Sequence, residues 1–167
     1  MIDARSVKTS TNVPAREQCC DVGKKIVGRK RSIIIDTTGL KLTVLVTAAG
    51  SQYSVAGERL LNRVTADHSG IRKGWADRGC REYLVDNAAR LGIAPEVVRH
   101  TPGTKGFTAL PHRRVIEHTL GRLMHHHRLA RDYEALPARS TAMIYIAMIA
   151  FIARRIARES TQTWRGE

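Results

Sequence analysis

The sequence predicts an α/β fold, a mixed β-sheet flanked by helices, and three observations lead to this prediction. Residues 32–36 and 41–47 are rich in β-branched side chains and flank a turn that contains Gly39, which is typical of a β-hairpin. Farther along the chain, short apolar segments alternate with helical patterns, and this alternation favours parallel strands reached through helices. Residues 41–47 are largely apolar on both faces of the strand, which is typical of a strand inside a covered sheet.

The individual elements follow from apolar periodicity and from helix and turn signals. Residues 1–7 allow a first strand, and residues 10–21 are predicted to be a polar loop. After the hairpin, the pattern predicts a helix, a strand, a second helix, a last strand and two C-terminal helices. In that order, they cover residues 54–64, 70–77, 82–91, 96–99, 113–134 and 141–158.

Length and hydrophobic content predict one domain. A chain of 167 residues with 43% hydrophobic residues is long enough for one real core and short for two. We therefore expect a single domain over residues 1–167, with the sheet in residues 1–110. A helix is expected in residues 111–137 and a packing helix in residues 141–158.

The charge of the chain indicates the class of its partner. A formal net charge of +13 predicts a polyanion, with nucleic acid ahead of an anionic membrane surface. Residues 23–31 form a dense basic segment that we expect at the exposed end of the hairpin. The longest apolar run, residues 141–153, is shorter than the ~20 residues of a membrane span. Three cysteines without Cys-x-x-Cys spacing, and an N-terminus without an apolar segment, predict a reduced, cytosolic protein.

The predicted 113–134 helix carries a buried stripe and a basic face. At about 100° per residue, the apolar stripe contains Ile116, Leu120, Leu123 and Ala130. Glu117 lies among residues that point in a different direction, namely Arg113, Arg114, Gly121, Arg128 and Arg131. An acid among arginines is consistent with a surface salt-bridge network. It is also consistent with an acid that holds a metal ion where a polyanion binds.

The run His125-His126-His127 has a simpler interpretation than a metal site. Consecutive residues of a helix point about 100° apart, so three histidines in a row do not converge on one ion. We therefore expect a basic surface helix here, and the cysteines and histidines lack zinc-site spacing.

Three carboxylates are candidates for metal-dependent chemistry. Asp3 lies on the first predicted strand and Asp77 ends the fourth, so the two can be neighbours in the sheet, while Glu117 approaches from a packing helix. Carboxylate oxygens suit Mg²⁺. A pair of such ions can stabilise both the attacking and the leaving oxygen of a phosphoryl transfer. Spacing alone leaves open that these are three unrelated acids.

Several segments, in collinear order, resemble transposases of bacterial insertion sequences. The first two segments are Ile-Asp-Ala-Arg-Ser-Val-Lys-Thr (residues 2–9) and residues 21–40. The next two are Gly-Trp-Ala-Asp-Arg-Gly (74–79) and the region 105–137, which ends in Arg-Leu-Ala-Arg-Asp-Tyr-Glu-Ala-Leu-Pro. Residues 142–149, Ala-Met-Ile-Tyr-Ile-Ala-Met-Ile, are similar to the closing helix of the family. The group is insertion-sequence family five, within the wider family-four superfamily of DDE transposases.

This resemblance implies a ribonuclease-H-like catalytic core, the C-terminal part of such a transposase. Asp3, Asp77 and Glu117 match the three metal-binding acids of the family, and Arg113 matches an arginine four residues before the glutamate. The implied activity is Mg²⁺-dependent DNA strand cleavage and strand transfer, with Mn²⁺ as a substitute. The implied partners are double-stranded DNA, as element ends and target, and further copies of the chain in an active homo-oligomer. No membrane partner is implied, and the protein would be cytoplasmic and nucleoid-associated.

We expect basic side chains to neutralise the DNA backbone in a salt-sensitive and mostly sequence-independent way. The candidates are Lys24, Lys25, Arg29, Lys30, Arg31, Lys105, Arg113, Arg128 and Arg131.

Departures from the family pattern support a competing prediction. Arg78-Gly79-Cys80 stands where the family usually has Gly-Gly-Tyr, and Arg114, His118, Leu120 and Arg122 stand where it usually has Trp, Arg, Phe and Trp. Arg122 in a packed helix is expected to loosen the core. Asp3 also follows only two residues, whereas the family has an N-terminal region before this point that recognises the element ends, so we expect a clipped first strand. The alternative is therefore a catalytically inactive remnant that only binds nucleic acid through its basic surface.

Overall fold

The computed structural model describes residues 1–76, 82–97 and 111–157. This part of the chain contains six β-strands, five α-helices and one turn of 3-10 helix at Ala15–Glu17. The strands are β1 (Ile2–Lys8), β2 (Cys19–Asp21), β3 (Ile26–Ile35), β4 (Lys41–Ala48), β5 (Lys73–Ala76) and β6 (Ala94–Val97). The helices are α1 (Tyr53–Asp67), α2 (Glu82–Arg90), α3 (Pro111–His125), α4 (His127–Ala130) and α5 (Pro137–Ile156).

The strands form one mixed sheet in which β1 is central. β1 pairs antiparallel with β3 on one side and parallel with β5 on the other, and β6 continues the sheet in parallel beyond β5. β2 and β4 both pair antiparallel with β3. The predicted arrangement, with antiparallel strands early and parallel strands reached through helices, is thereby confirmed.

Helices cover both faces of this sheet. On one face, α1 and α2 bury Leu60, Val64 and Leu84 against Ile2 and Ile34. On the other face, α3, α4 and α5 bury a second set of side chains against Ile33, Ile35, Val44 and Val46; this set includes Ile116, Leu120, Leu123, Leu129 and Ile144. The predicted ribonuclease-H-like α/β fold, a mixed sheet flanked by helices, is confirmed. Within the described ranges, no helix has the length and apolar character needed to cross a membrane.

The predicted single helix at 113–134 is wrong, as is the 111–137 range given to it. α3 ends at His125, His126 has extended backbone angles, and α4 is only one turn long. The following residues run along the end of the sheet, where the Asp132 amide donates to the Lys8 carbonyl (2.9 Å) and the Asp132 carbonyl accepts from the Ser10 amide (2.8 Å). These hydrogen bonds to β1 and the loop after it replace those that a continuous helix would make. As a result, Leu129 is buried and Ala130, predicted for the apolar stripe, is exposed.

Other boundaries differ by a few residues. β3 begins at Ile26, because the basic segment pairs with β1 instead of forming a solvated loop. β2 and the 3-10 turn lie inside the predicted polar loop. α5 begins with Pro137 in its first turn. Proline is tolerated there because the backbone N–H groups of the first turn have no partner within the helix. β1 pairs with β3 along all seven of its residues, so Asp3 lies in a regular strand; the expected clipping of this strand stays a prediction.

Candidate active site and basic surfaces

Asp3 lies on the central strand, on the face of the sheet that α3 covers. It is the second residue of β1 and pairs with Ile33 of β3. Paired residues of antiparallel strands place their side chains on the same face. Ile33 is packed in the core together with Ile116 of α3. The Asp3 carboxylate is half-buried, and its Oδ1 accepts a hydrogen bond from the Ala4 amide at 2.7 Å.

Glu117 is exposed on α3, directly after the fully buried Ile116. Successive residues of a helix point about 100° apart, so Glu117 stands at the edge of the buried stripe. α3 contacts β1 as well as α5. The structure therefore brings two of the three predicted acids, Asp3 and Glu117, to the same face of the sheet.

The third predicted acid, Asp77, lies outside the described residues. The described strand β5 ends at Ala76, which pairs with Ile2, the residue before Asp3. Lys105 and the side chain of Arg113 also lie outside the described part of the chain. Their predicted roles therefore remain expectations.

The donor set at this face suits a hard divalent cation. Asp3 and Glu117 offer carboxylate oxygens, the ligand type that Mg²⁺ prefers. Among the residues that the structure describes, no three His, Cys, Asp or Glu side chains are grouped to hold a metal ion. Asp77, the third predicted ligand, lies outside those ranges.

A turn between β3 and β4 fixes the position of α3. The Asp36 carboxylate closes this turn by accepting from the Thr38 amide, the Thr38 hydroxyl and the Leu40 amide, each at 2.8 Å. Gly39 has a φ of 84°, and its carbonyl accepts from the Thr119 hydroxyl of α3 at 3.1 Å. Thr119 lies two residues after Glu117, so this contact helps to position the acid.

Arg29 and Arg31, both predicted to bind DNA, are instead buried within the protein. The Arg29 guanidinium donates to Asp132 (3.3 Å) and to the carbonyls of Glu134 (2.6 Å) and Ala135 (2.8 Å). Arg31 donates to the Leu129 carbonyl at 2.5 Å. Arg29 is 0% exposed and Arg31 4%, so neither guanidinium is available to a DNA backbone. The prediction that these two residues contact DNA is corrected accordingly.

Asp132 is the carboxylate that balances these two arginines. It is 1% exposed and lies 3.3 Å from Arg29 and 3.8 Å from Arg31. It also accepts from the Ser140 hydroxyl (2.5 Å) and the Glu134 amide (3.1 Å). Burial lowers the pKa of Arg31, while the nearby Asp132 raises it. Sequence reasoning missed this cluster because it treated the 24–31 segment as solvated.

The remaining predicted DNA contacts whose side chains the structure describes are at or near the surface. Lys24, Lys25 and Arg131 are exposed. Lys30 is half-buried and donates to the Ser51 carbonyl at 2.8 Å. Arg128 is exposed and forms an ion pair with Glu134 at 2.7 Å. Lys24, Lys25 and Arg131 are therefore the most accessible of the candidates that the structure describes.

Sequence reasoning also missed Arg5, which is exposed on the strand that carries Asp3. Arg5 lies two residues after Asp3, and alternate residues of a strand share a face. The sequence already showed a basic residue at that spacing from Asp3. Arg5 therefore places a cation on the same face as Asp3 and Glu117.

Arg122 does not lie in the core, so the expected loosening of the core by this residue is wrong. Its side chain is exposed, and its guanidinium lies 4.7 Å from the centre of the Phe151 ring of α5. The three histidines also differ from the prediction, because they do not share one helix. His125 ends α3, His126 lies in the break, and His127 begins α4 and stacks on Tyr133.

Comparison with known proteins identifies the family of this chain. Residues 1–152 match the family model described as a transposase DDE domain. A search of curated proteins gave no match. The matched range includes the strand that carries Asp3 and the helix that carries Glu117. Because it covers most of the 167 residues, the chain belongs to the transposase DDE domain family.

Proposed function

We propose that this chain catalyses metal-dependent DNA strand cleavage and strand transfer in the transposition of an insertion element. We further propose that it is the C-terminal catalytic part of a transposase of insertion-sequence family five, within the family-four superfamily. The observation that carries the proposal is the placement of Asp3 and Glu117 on one face of the sheet. Ile2 pairs with Ala76, and these residues directly precede Asp3 and Asp77 in the chain. This pairing supports the proposal that Asp77 is the third acid.

Asp3, Asp77 and Glu117 are the proposed ligands of Mg²⁺, with Mn²⁺ as a substitute. When bound, such a cation stabilises negative charge on the oxygens of a phosphodiester during its displacement. The residues of the chain contribute position. β1 pairs with β3 on one side and β5 on the other, which gives Asp3 a rigid support. Glu117 is exposed on α3, so DNA can approach it.

The proposed DNA surface uses cations that are accessible among the described residues. Arg5, Lys24, Lys25 and Arg131 are exposed and can neutralise backbone phosphates without reading bases. Lys30, Arg128, Lys105 and Arg113 remain in the proposal from the sequence. The partners would be element ends and target DNA, and an active form would be a homo-oligomer in the cytoplasm, associated with the nucleoid.

The test is cleavage of DNA that carries element ends, by the purified chain with Mg²⁺ or Mn²⁺. We expect Asp3→Asn, Asp77→Asn and Glu117→Gln each to abolish cutting, because each removes one carboxylate charge while preserving shape. A matched control is Asp67→Asn, at the exposed C-terminal end of α1 on the other face of the sheet. This control should cut like the unmodified chain.

The outcomes separate the two predictions made from the sequence. Cutting that depends on all three acids and not on Asp67 supports the proposed catalysis. Salt-sensitive DNA binding without any cutting, in both metals, would contradict it and would match the inactive remnant. Cutting that survives Glu117→Gln would show that the acids are wrongly assigned.

A further inference from the structure

A groove of about 520 Å³ lies between α3 and α5, beside the turn that joins β3 and β4. Its floor is apolar and includes Leu123 and Met148. Its rim carries cationic and titratable side chains: Arg122, His125, His126, Arg154 and Arg155. The described residues that line it include no Asp or Glu.

Two of the three rim arginines, Arg122 and Arg155, are held in place by neutral groups. The Arg122 guanidinium lies over the Phe151 ring, and Arg155 donates to the Thr38 carbonyl at 3.2 Å. Within the described residues, none of the three rim arginines forms an ion pair with a carboxylate. Their positive charge is therefore not balanced by a carboxylate of the described residues, which favours an anionic ligand.

The positive charge of the rim acts on His126, the histidine in the break between α3 and α4. Burial lowers the pKa of His126, and the positive charges of Arg154 and His125 lower it further. The rim therefore disfavours one more positive charge. An anion that entered the groove would reverse this effect.

This groove is separate from the candidate active site. Glu117 lies about 100° from the buried Ile116 in one direction around α3, and Arg122 lies about 120° in the other. The acid and the groove are thus on opposite flanks of the helix. A ligand in the groove would not occupy the position of a ligand at Glu117.

We propose that the α3–α5 groove binds the phosphodiester backbone of DNA, as a second contact site distinct from the acidic site. That DNA is the polyanion rests on the proposed function; the groove, its charge and its position do not. Arginine suits this role because its guanidinium pairs with phosphate oxygens in a fixed geometry. Bound DNA would contact two flanks of α3 at once.

The first test is the salt dependence of binding to a DNA duplex of unrelated sequence. In Arg122→Gln/Arg154→Gln, we expect the slope of log K against log salt to fall by about 2, since each lost phosphate contact removes about 0.9. The matched control is Arg59→Gln/Arg63→Gln, which removes two exposed arginines from α1 on the other face of the sheet. The control should leave the slope unchanged. Arg122→Lys/Arg154→Lys, which keeps the charge, should retain most of it.

The second test follows the His126 ring by NMR titration. Adding the same duplex should raise the pKa of His126, because phosphate offsets the charge of Arg154 and its neighbours Arg122, His125 and Arg155. The proposal is overturned if the chain binds no DNA, if the groove variant keeps the slope of the control, or if the His126 pKa is unchanged at saturation.

These readouts are independent of cleavage. If Glu117→Gln abolishes cutting but the groove variant binds like the control, the second site is wrong and the catalytic proposal stands. If the unmodified chain does not cut in either metal, but the groove variant loses salt-dependent binding relative to the Arg59→Gln/Arg63→Gln control, the second site stands and the catalytic proposal fails.

Discussion

At Asp132, the negative charge of one carboxylate faces the positive charges of two buried guanidinium groups. Removing the charge of Asp132 leaves Arg29 and Arg31 buried without a counter-charge. The loss of one partner of a buried ion pair costs about 3–5 kcal/mol. We therefore expect Asp132→Asn to lower the free energy of unfolding by roughly that amount, as measured by urea denaturation. Asp67→Asn, an exposed carboxylate with the same change of charge, should shift it by less than about 0.5 kcal/mol. A loss for Asp132→Asn as small as that of the control would contradict the role assigned to the cluster.

The burial of these arginines could have been read from the sequence by extending one strand. Arg29 and Arg31 are two residues apart and continue the alternation that buries Ile33 and Ile35. Alternate residues of a strand share a face, so a strand beginning at Ile26 places both arginines on the core side. The dense positive charge suggested a solvated loop instead. What the sequence does not reveal is the partner, because Asp132 lies 103 residues from Arg29.

At the scale of elements, the contact between the β3–β4 turn and α3 can be tested at one glycine. Gly39 has a φ of 84°, and a Cβ there would lie 3.0 Å from the Thr119 hydroxyl oxygen. We expect Gly39→Ala to lower the free energy of unfolding by about 1–3 kcal/mol through backbone strain. We also expect faster amide hydrogen exchange around Thr119, because the contact that positions α3 is disturbed.

Gly70→Ala is the matched control for that substitution. A Cβ at Gly70 would meet no heavy atom within 4 Å, and Gly70 has no positive φ. This variant should keep its stability or gain slightly, since alanine restricts the unfolded chain. Equal stability of the two variants would show that the turn does not constrain α3.

Elements with strong local signals were predictable, and the break at His126 was not. The hairpin, α1 and α2 follow from β-branched runs and apolar periodicity that agree with their tertiary contacts. The residues from His126 to Leu136 keep an apparent helical pattern without a proline or glycine to interrupt it. Their backbone groups instead form hydrogen bonds with β1 and with the buried arginines. These are tertiary contacts, and a local sequence pattern does not contain them.

At the scale of the whole molecule, the mixed character of the sheet was predictable because the order of the elements in the chain restricts the possible pairings. A hairpin followed by strands alternating with helices leaves few ways to build a mixed sheet. Asp3 and Glu117 lie on one face of the sheet, while their assignment as site residues stays a prediction. The basic surface was not predictable, because net charge does not distinguish Arg29, which is buried, from Arg122, which is exposed.

The pairing of Arg29 with Asp132 also has a consequence for the order in which the fold closes. Contacts between residues far apart in the chain carry a large loop-closure cost, so we expect them to form after the folding transition state. In stopped-flow measurements, Asp132→Asn should then accelerate unfolding and leave the refolding rate almost unchanged. A refolding rate that falls in proportion to the lost stability would place the cluster in the folding nucleus instead.

Because Glu117 precedes Asp132 on the same C-terminal segment, a late-closing cluster means that a partly folded chain holds Asp3 in place before Glu117 is secured. Intermediates in folding would then carry exposed basic side chains before Asp3 and Glu117 come to lie on one face of the sheet.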